Sequence, residues 1–382
     1  MTATVAEPAW LAGRREAALR TYRSLPVPSV REEAWRFTNL RGFDPDALPA
    51  APSTPVLTAP ELPAGVIFTR LAAAVGDHAD LLRRSLGTVV SGGEKFAAGN
   101  AANWDDGVLL HVPAGVTVES PLRAAVEATA EASLHHRVLI VLERGARAVF
   151  LEEYLSTAAA YLNVVVELVV GDGASLEYVT VQNHHSGTRQ FATHRATVGR
   201  DATLDWVAAA LGGTRAKSRM ESRLAAPGAN VKVTGAYYLQ GAEHIDFDTT
   251  QEHAAPNTTS DLAFKGVLSD HARAVWRGVI RVDQGAQKTD AYQENRNLLL
   301  SPDAQATPIP GLEIEANDVR CTHGATVGQV DRGQLHYLMS RGLSRAEAQR
   351  MIVRGFLDDA LQRIGSDEVR SSIAEAIEAR LP

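Results

Sequence analysis

Cys321 is the single cysteine of a 382-residue chain, and His323 follows it two positions later. On an extended strand, residues two apart project from the same face, so this pair would set a soft thiolate beside an imidazole. Such donors suit iron, zinc or an iron–sulfur unit. Two donors do not complete a tetrahedral centre, and no further cysteine is present. The missing ligands would have to come from a partner chain or a small molecule. Two other roles compete. A lone cysteine is commonly a small buried hydrophobe. A Cys–His nucleophilic dyad is the other, but neighbours two apart on a strand stand about 6–7 Å apart at their bases, too far without a bulge. Arg320 would favour the thiolate, yet on a strand its side chain points the other way.

Other chemistry finds less support. No P-loop, dinucleotide fingerprint, zincin helix or nucleophile elbow occurs, and the stretch Ser91–Gly92–Gly93–Glu94–Lys95 reads as a loop. In the adjacent pairs His135–His136 and His184–His185, strand geometry sends one member inward and one outward. His253, in a polar stretch, is expected at the surface, and the carboxylate pairs Glu152–Glu153 and Asp358–Asp359 are expected to be solvated faces. The net charge is −7, which argues against a nucleic-acid partner. The most apolar run, Tyr161 to Val170, is too short and too polar to span a bilayer. The first residues lack the pattern of a secretory signal, so a cytoplasmic location is expected.

The elements that would carry the pair are mainly β. Before them, Trp10 to Tyr22 reads as a helix stopped at Pro26. Residues 44–65 read as a Pro/Ala-rich arm, and Leu71 to Leu86 as a short helix. From about Gly107, period-two runs such as HHRVLIVLERGARAVFLEEYL take over. Small-residue corners precede alanines at 146, 174, 202, 229, 272 and 286, at intervals close to multiples of 14. A fixed period is the mark of a solenoid, in which each coil buries its inner face only against its neighbours. Evenly spaced hairpins of a β-sandwich are the alternative. The last fifty residues return to helix, with a break at Gly342 and a capping box of Ser344 with Glu347. Ile352, Phe356, Ala360 and Ile364 form one apolar stripe, and Val369, Ile373, Ile377 and Leu381 another; such stripes most often mean packing within the chain, with a docking face for another subunit as the alternative. The expected organisation is a helical region over 1–90, a β-helix core over 91–325 and a helical region over 326–382.

Several stretches resemble the SufB/SufD family of iron–sulfur cluster assembly scaffolds: Arg31 to Leu40 (REEAWRFTNL), Lys95 to Leu122, Gly266 to Asp270 with Ala272 to Ile280, and Ala286 to Ser301. The most specific is Leu312 to Ser344, LEIEANDVRCTHGATVGQVDRGQLHYLMSRGLS. Gly324 stands where SufB chains carry an acidic residue, and the extra cysteines of some SufB members are absent. The chain therefore resembles the SufD branch more than the SufB branch, although LMSRGLSRAEAQRMIVRGF echoes SufB. The resemblance implies a right-handed parallel β-helix and a non-catalytic scaffold. It implies pairing with a SufB-like subunit, and binding of a SufC-like ATPase at the C-terminal helices, where Ile352, Phe356, Ile364, Val369 and Ile373 are the candidate contacts. It also implies a transient iron–sulfur cluster at the partner interface, with Cys321 and His323 as candidate contributors and no stably bound cofactor. Edge pairing of the isolated chain into a homodimer is a further expectation. From another class, a β-helix carbohydrate-active enzyme is the competing function.

Overall fold

The period of about 14 becomes a parallel β-solenoid in the structure, a computed structural model that describes residues 7–381. Each coil contributes one strand to each of two nine-stranded sheets, with strands numbered here in chain order. The first sheet runs β1 (Val56–Thr58), β4 (Leu122–Ala128), β6 (Arg147–Ser156), β8 (Ser175–His184), β10 (Thr203–Gly212), β12 (Asn230–Leu239), β14 (Thr259–Leu268), β16 (Thr289–Leu299) and β18 (Val319–Gln329). The second runs β2 (Ile67–Arg70), β3 (Asp106–Val112), β5 (Ser133–Leu142), β7 (Tyr161–Val170), β9 (Arg189–Val198), β11 (Arg215–Leu224), β13 (His244–His253), β15 (Arg273–Val282) and β17 (Gln305–Ile314). The pairings from β3 to β18 are parallel, whereas β1 and β2 close the N-terminal end antiparallel. The same interval sets the register: Leu176 lies beside Ala148 and Leu204, 28 residues away on either side.

Corner chemistry explains the repeat. Gly145, Gly173, Asp201 and Gly228 adopt positive φ, and the alanine after each is fully buried in the interior. The inner faces are lined by Val, Leu, Ile and aromatic side chains through the first coils. At the corner after Asp270 the left-handed residue sits two before Ala272 rather than one.

Helices cover the outer faces. Helix α1 (Ala9–Ser24) and the two short helices α2 (Leu71–Asp77) and α3 (Ala79–Ser85) pack on the second sheet through Leu11, Leu71, Leu82, Leu109 and Leu139. One helix was expected over Leu71–Leu86, and the chain breaks it at His78, whose backbone leaves the helical region. The alanine-rich segment after the glycine loop forms an unanticipated helix, α4 (Lys95–Asn103). The arm over 44–65 is extended as expected, but it is pinned: Ser53 is buried and its hydroxyl donates to Asp105 Oδ1 (3.0 Å). At the C-terminus follow α5 (Arg332–Ser340), α6 (Arg345–Leu361) and α7 (Asp367–Glu378), with the Ser344–Glu347 capping box formed. Among the described residues no helix is long and apolar enough to cross a membrane.

Two surface expectations are overturned. His253 is fully buried, with ring nitrogens 2.7 Å from Thr258 Oγ1 and 2.9 Å from Ser260 Oγ. Glu152 is also fully buried; it accepts from Tyr178 Oη (2.8 Å) and lies 3.1 Å from His136 Nε2. Both residues fall on inward positions of their strands, and that parity outweighs their polarity. The two histidine pairs divide as strand geometry requires, with His136 and His184 inside.

Burial holds His184, His194 and His253 at pKa values of about 4, below the ordinary 6.5. The unfolded chain therefore binds protons between pH 6.5 and 4 that the folded chain refuses, so stability falls as pH falls through that window. Each such histidine removes about 2 kcal/mol between pH 6.5 and 5. Asp246 and Asp205, whose carboxyl pKa values burial raises, act with the opposite sign at lower pH. Differential scanning calorimetry should show Tm falling steadily from pH 7 to pH 5; a flat Tm would contradict neutral buried imidazoles.

Candidate functional site

Strand β18 is the last strand of the first sheet, and β17 the last of the second, so among the described residues no coil lies beyond them. The register places Cys321 beside Ala291 and His323 beside Gln293. On β16 the odd positions Thr289, Ala291, Gln293, Asn295 and Asn297 are the buried, inward ones. Cys321 and His323 therefore share the inward side of the final coil, but with nothing stacked on top. Cys321 is half-buried against Ile280, Val282, Ala286, Ala291 and Ala316, whereas His323 is exposed.

The interior changes character just beneath this pair. The fully buried Gln293 donates from Nε2 to Gly278 O (3.2 Å) and Gly311 O (3.1 Å), and its Oε1 has no partner among the described residues. Asn297 Oδ1 accepts from Tyr237 Oη (2.5 Å) and its Nδ2 donates to Asn295 Oδ1 (2.5 Å). An amide layer thus replaces hydrocarbon in the coil under the open end.

Burial, with the Asp290 carboxylate second, pushes the Cys321 thiol pKa up. Arg320 gives no relief, because it projects outward and pairs with Asp290 (Nε–Oδ1 3.0 Å). The thiol therefore stays protonated near neutral pH until a metal or a cationic partner group displaces the proton. Among the described residues no cluster of three or more His, Cys, Asp or Glu side chains is arranged to hold a metal. Cys321 and His323, the two candidate donors, stand at a rim that also exposes Leu312, Ile314 and Val327.

The C-terminal candidates divide. Ile364, Val369 and Ile373 are buried against Val179, Val207, Ala209 and Tyr238 of the first sheet's outer face. They belong to the chain's own core, which corrects their assignment as a partner-docking face. The helical unit does not hang free: it shares its apolar core with the solenoid. Lys265 pairs with Asp359, Arg363 with Asp261 (3.1 Å) and Arg380 with Glu243 (2.5 Å). Ile352 and Phe356 lie half-buried at the edge of that cluster. The buried residues of α6 are Ala348, Val353, Leu357, Ala360 and Leu361, so of the stripe read in the sequence Ala360 and Ile364 are buried while Ile352 and Phe356 stay at the edge. The apolar surface that remains open is Tyr337, Met339 and Met351, which sequence reading passed over because each sits outside the regular stripe. A second feature it missed is a cavity of about 280 Å³ between the 25–35 segment and β9/β11, walled by Trp35, Phe96 and Phe191 with Lys217 and Arg219 at its edge.

The family model for the SufBD core domain of SUF-system FeS cluster assembly matches residues 125–356. The chain belongs to the SufBD family. It is 30% identical to the iron–sulfur cluster assembly protein SufD of Bacillus subtilis, over 98% of this chain and 95% of that one. It is also 30% identical to a SufBD family protein of Mycobacterium tuberculosis, over 93% of this chain and 89% of the relative. The SufB protein of Bacillus subtilis matches at 29%, over 77% of this chain and 64% of its own length. Membership of the SufBD family decides against the carbohydrate-active alternative. The matched region takes in the solenoid from β4 onward, the Cys321–His323 rim and most of α6.

Two outcomes follow from this geometry. Following thiolate absorbance with pH should place the Cys321 midpoint above that of a free cysteine; a midpoint below it would contradict the half-buried, unassisted thiol. Ile373→Ala should destabilise the isolated chain by about 2–5 kcal/mol in urea unfolding, the cost of a cavity in a packed core. A loss under about 0.5 kcal/mol, the range for surface substitutions, would return Ile373 to the surface.

Proposed function

We propose that this SufBD-family chain is a non-catalytic, SufD-type scaffold subunit that provides half of an iron–sulfur assembly site and pairs with a SufB-type subunit to complete it. The observation that carries this reading is the half-site itself: a thiol and an imidazole on the inward side of the last coil, with no cluster of three or more potential metal ligands among the described residues. The broader coverage of the SufD relative than of the SufB relative supports the SufD-type assignment. A nascent cluster is cargo at such a site. His323, exposed, is the first donor to meet it; Cys321, protonated and half-buried, is a ligand or sulfur acceptor once the partner closes over it.

A SufC-type ATPase is the second proposed partner. Its docking surface is the open apolar surface of α5 and α6, at Tyr337, Met339, Met351, Ile352 and Phe356, rather than the buried Ile364, Val369 and Ile373. Because α6 and α7 are clamped to the first sheet, a pull on them moves the sheet as a body, and β18 with it. We place the complex in the cytoplasm.

His323→Ala in the assembled complex tests the site. Cluster formation, followed by visible absorption and iron content, should fall at least about tenfold, the change produced by losing about 1.4 kcal/mol of ligand interaction. The complex itself should still assemble, and undiminished cluster formation would remove His323 from the site.

A further inference from the structure

The cavity beside Trp35 is one half of a longer trough on the outer face of the second sheet. A second cavity of about 270 Å³ adjoins the first of about 280 Å³, and Thr193, Glu94 and Arg219 belong to the walls of both. Strand register sets the direction of the trough. Phe191 lies beside Lys217, and Thr193 beside Arg219, under the first cavity. Further along the same strands, Arg195 lies beside Glu221 and Glu252 beside Arg281 under the second. From Asp246, in register with Lys217, to Glu252 is six residues of β13. That is about 20 Å at the usual strand rise of about 3.3 Å per residue.

The two ends of the trough differ in chemistry. Trp35, Phe96 and Phe191 wall the first cavity, with the Trp35 and Phe96 ring centroids 5.2 Å apart and those of Phe96 and Phe191 4.6 Å apart. Pro26 and Pro28 add apolar surface, so this end is a slot suited to an aromatic side chain. The second cavity is lined mainly by charge. Along the whole trough stand six Lys or Arg side chains and six carboxylates. Several already pair with one another: Glu94 with Arg219, Asp248 with Arg277 (3.2 Å) and Glu313 with Arg281 (2.8 Å). A phosphate-bearing or strongly acidic ligand therefore meets no surplus of cations. Donors and acceptors in equal measure suit a peptide main chain, which carries one N–H and one C=O at each residue.

We infer that this trough binds an extended segment of another protein, anchored by an aromatic side chain in the Trp35 slot and close to neutral in net charge along the rest. A stretch of about six extended residues matches its length. The slot supplies the affinity, as a buried aromatic anchor does, and the balanced charges beyond it set register and reject segments of a single sign. Glu94 caps the start of α4 and Arg219 stands on β11, so the junction between the cavities has one wall on the helix and one on the sheet. The trough lies on the second sheet, whereas the C-terminal helices pack on the first, so this surface is separate from the one proposed for the ATPase.

Selection from a phage-displayed library of random peptides on the full chain tests this, with the selected peptides then synthesised and titrated by calorimetry. Enriched peptides should hold an aromatic residue beside residues of both charges, with net charge near zero. Replacing that aromatic residue by alanine should weaken binding roughly tenfold or more. Thr193→Trp, which sets an indole on the floor shared by the two cavities, should weaken it as much at unchanged circular dichroism. A benzoyl-phenylalanine at the anchor position of the peptide reads the same point on the unmodified chain, so the test stands even where Thr193→Trp does not fold: its crosslinks should map to residues 25–35 or 93–96. Enriched peptides without an aromatic residue or of one charge sign, unchanged binding to a folded Thr193→Trp chain, or crosslinks elsewhere overturn the inference. So does a selection that enriches no peptide. Binding of adenosine monophosphate in place of peptides, lost in Thr193→Trp, overturns it in favour of a phosphate-bearing small molecule.

Discussion

The stacking of one coil on the next is the constraint from which the rest of the molecule follows. Each coil pairs its backbone with its neighbours and buries its inner side chains only against them. The N-terminal end satisfies this demand within the chain, through the antiparallel strands β1 and β2 and the pinned arm around Ser53. The C-terminal end does not. β17 and β18 are left with unpaired edges, and the side chains of the last inward face, Cys321 and His323 among them, meet solvent. An incomplete coil and the two candidate donors therefore occupy the same place, and the proposed partner would complete both.

The flanking helices answer to a different part of the same problem. The outer faces of the early and middle strands carry Leu151, Val179, Val207 and Leu211 on one sheet and Leu109 and Leu139 on the other. Helices α6 and α7 cover the first set, and α1 to α3 the second. Ion pairs from Lys265, Arg363 and Arg380 fix the C-terminal helices in place. Toward the open end the outer faces become polar, and the terminal coil is left bare.

Much of this was legible in the sequence because a solenoid writes its geometry into spacing. The corner alanines at 146, 174, 202 and 229 mark successive coils of the first sheet, and each is buried where the period requires. The inward parity of Cys321 and His323 follows from their separation by two. Burial of polar residues was not legible. His253 and Glu152 look like surface residues by type, and what places them inside is partners such as Ser260 and Tyr178, which become neighbours only once the coils are in register. The C-terminal stripes left packing within the chain and docking of a partner both open for a related reason. Periodicity shows that a helix has an apolar face, but the partner of that face, the outer side of β8 to β12, is a surface no single strand reveals.

Chemical labelling of the two rim side chains is the most direct measure of whether a partner finishes this site. Thiol alkylation of Cys321 and acylation of the His323 imidazole, read by mass spectrometry, compare the chain alone with the chain bound to its SufB-type subunit. Both residues should label readily in the isolated chain and lose labelling together in the complex. Equal labelling in the two states, with the complex intact, would mean that the partner sits elsewhere and that Cys321 and His323 are not halves of a shared site.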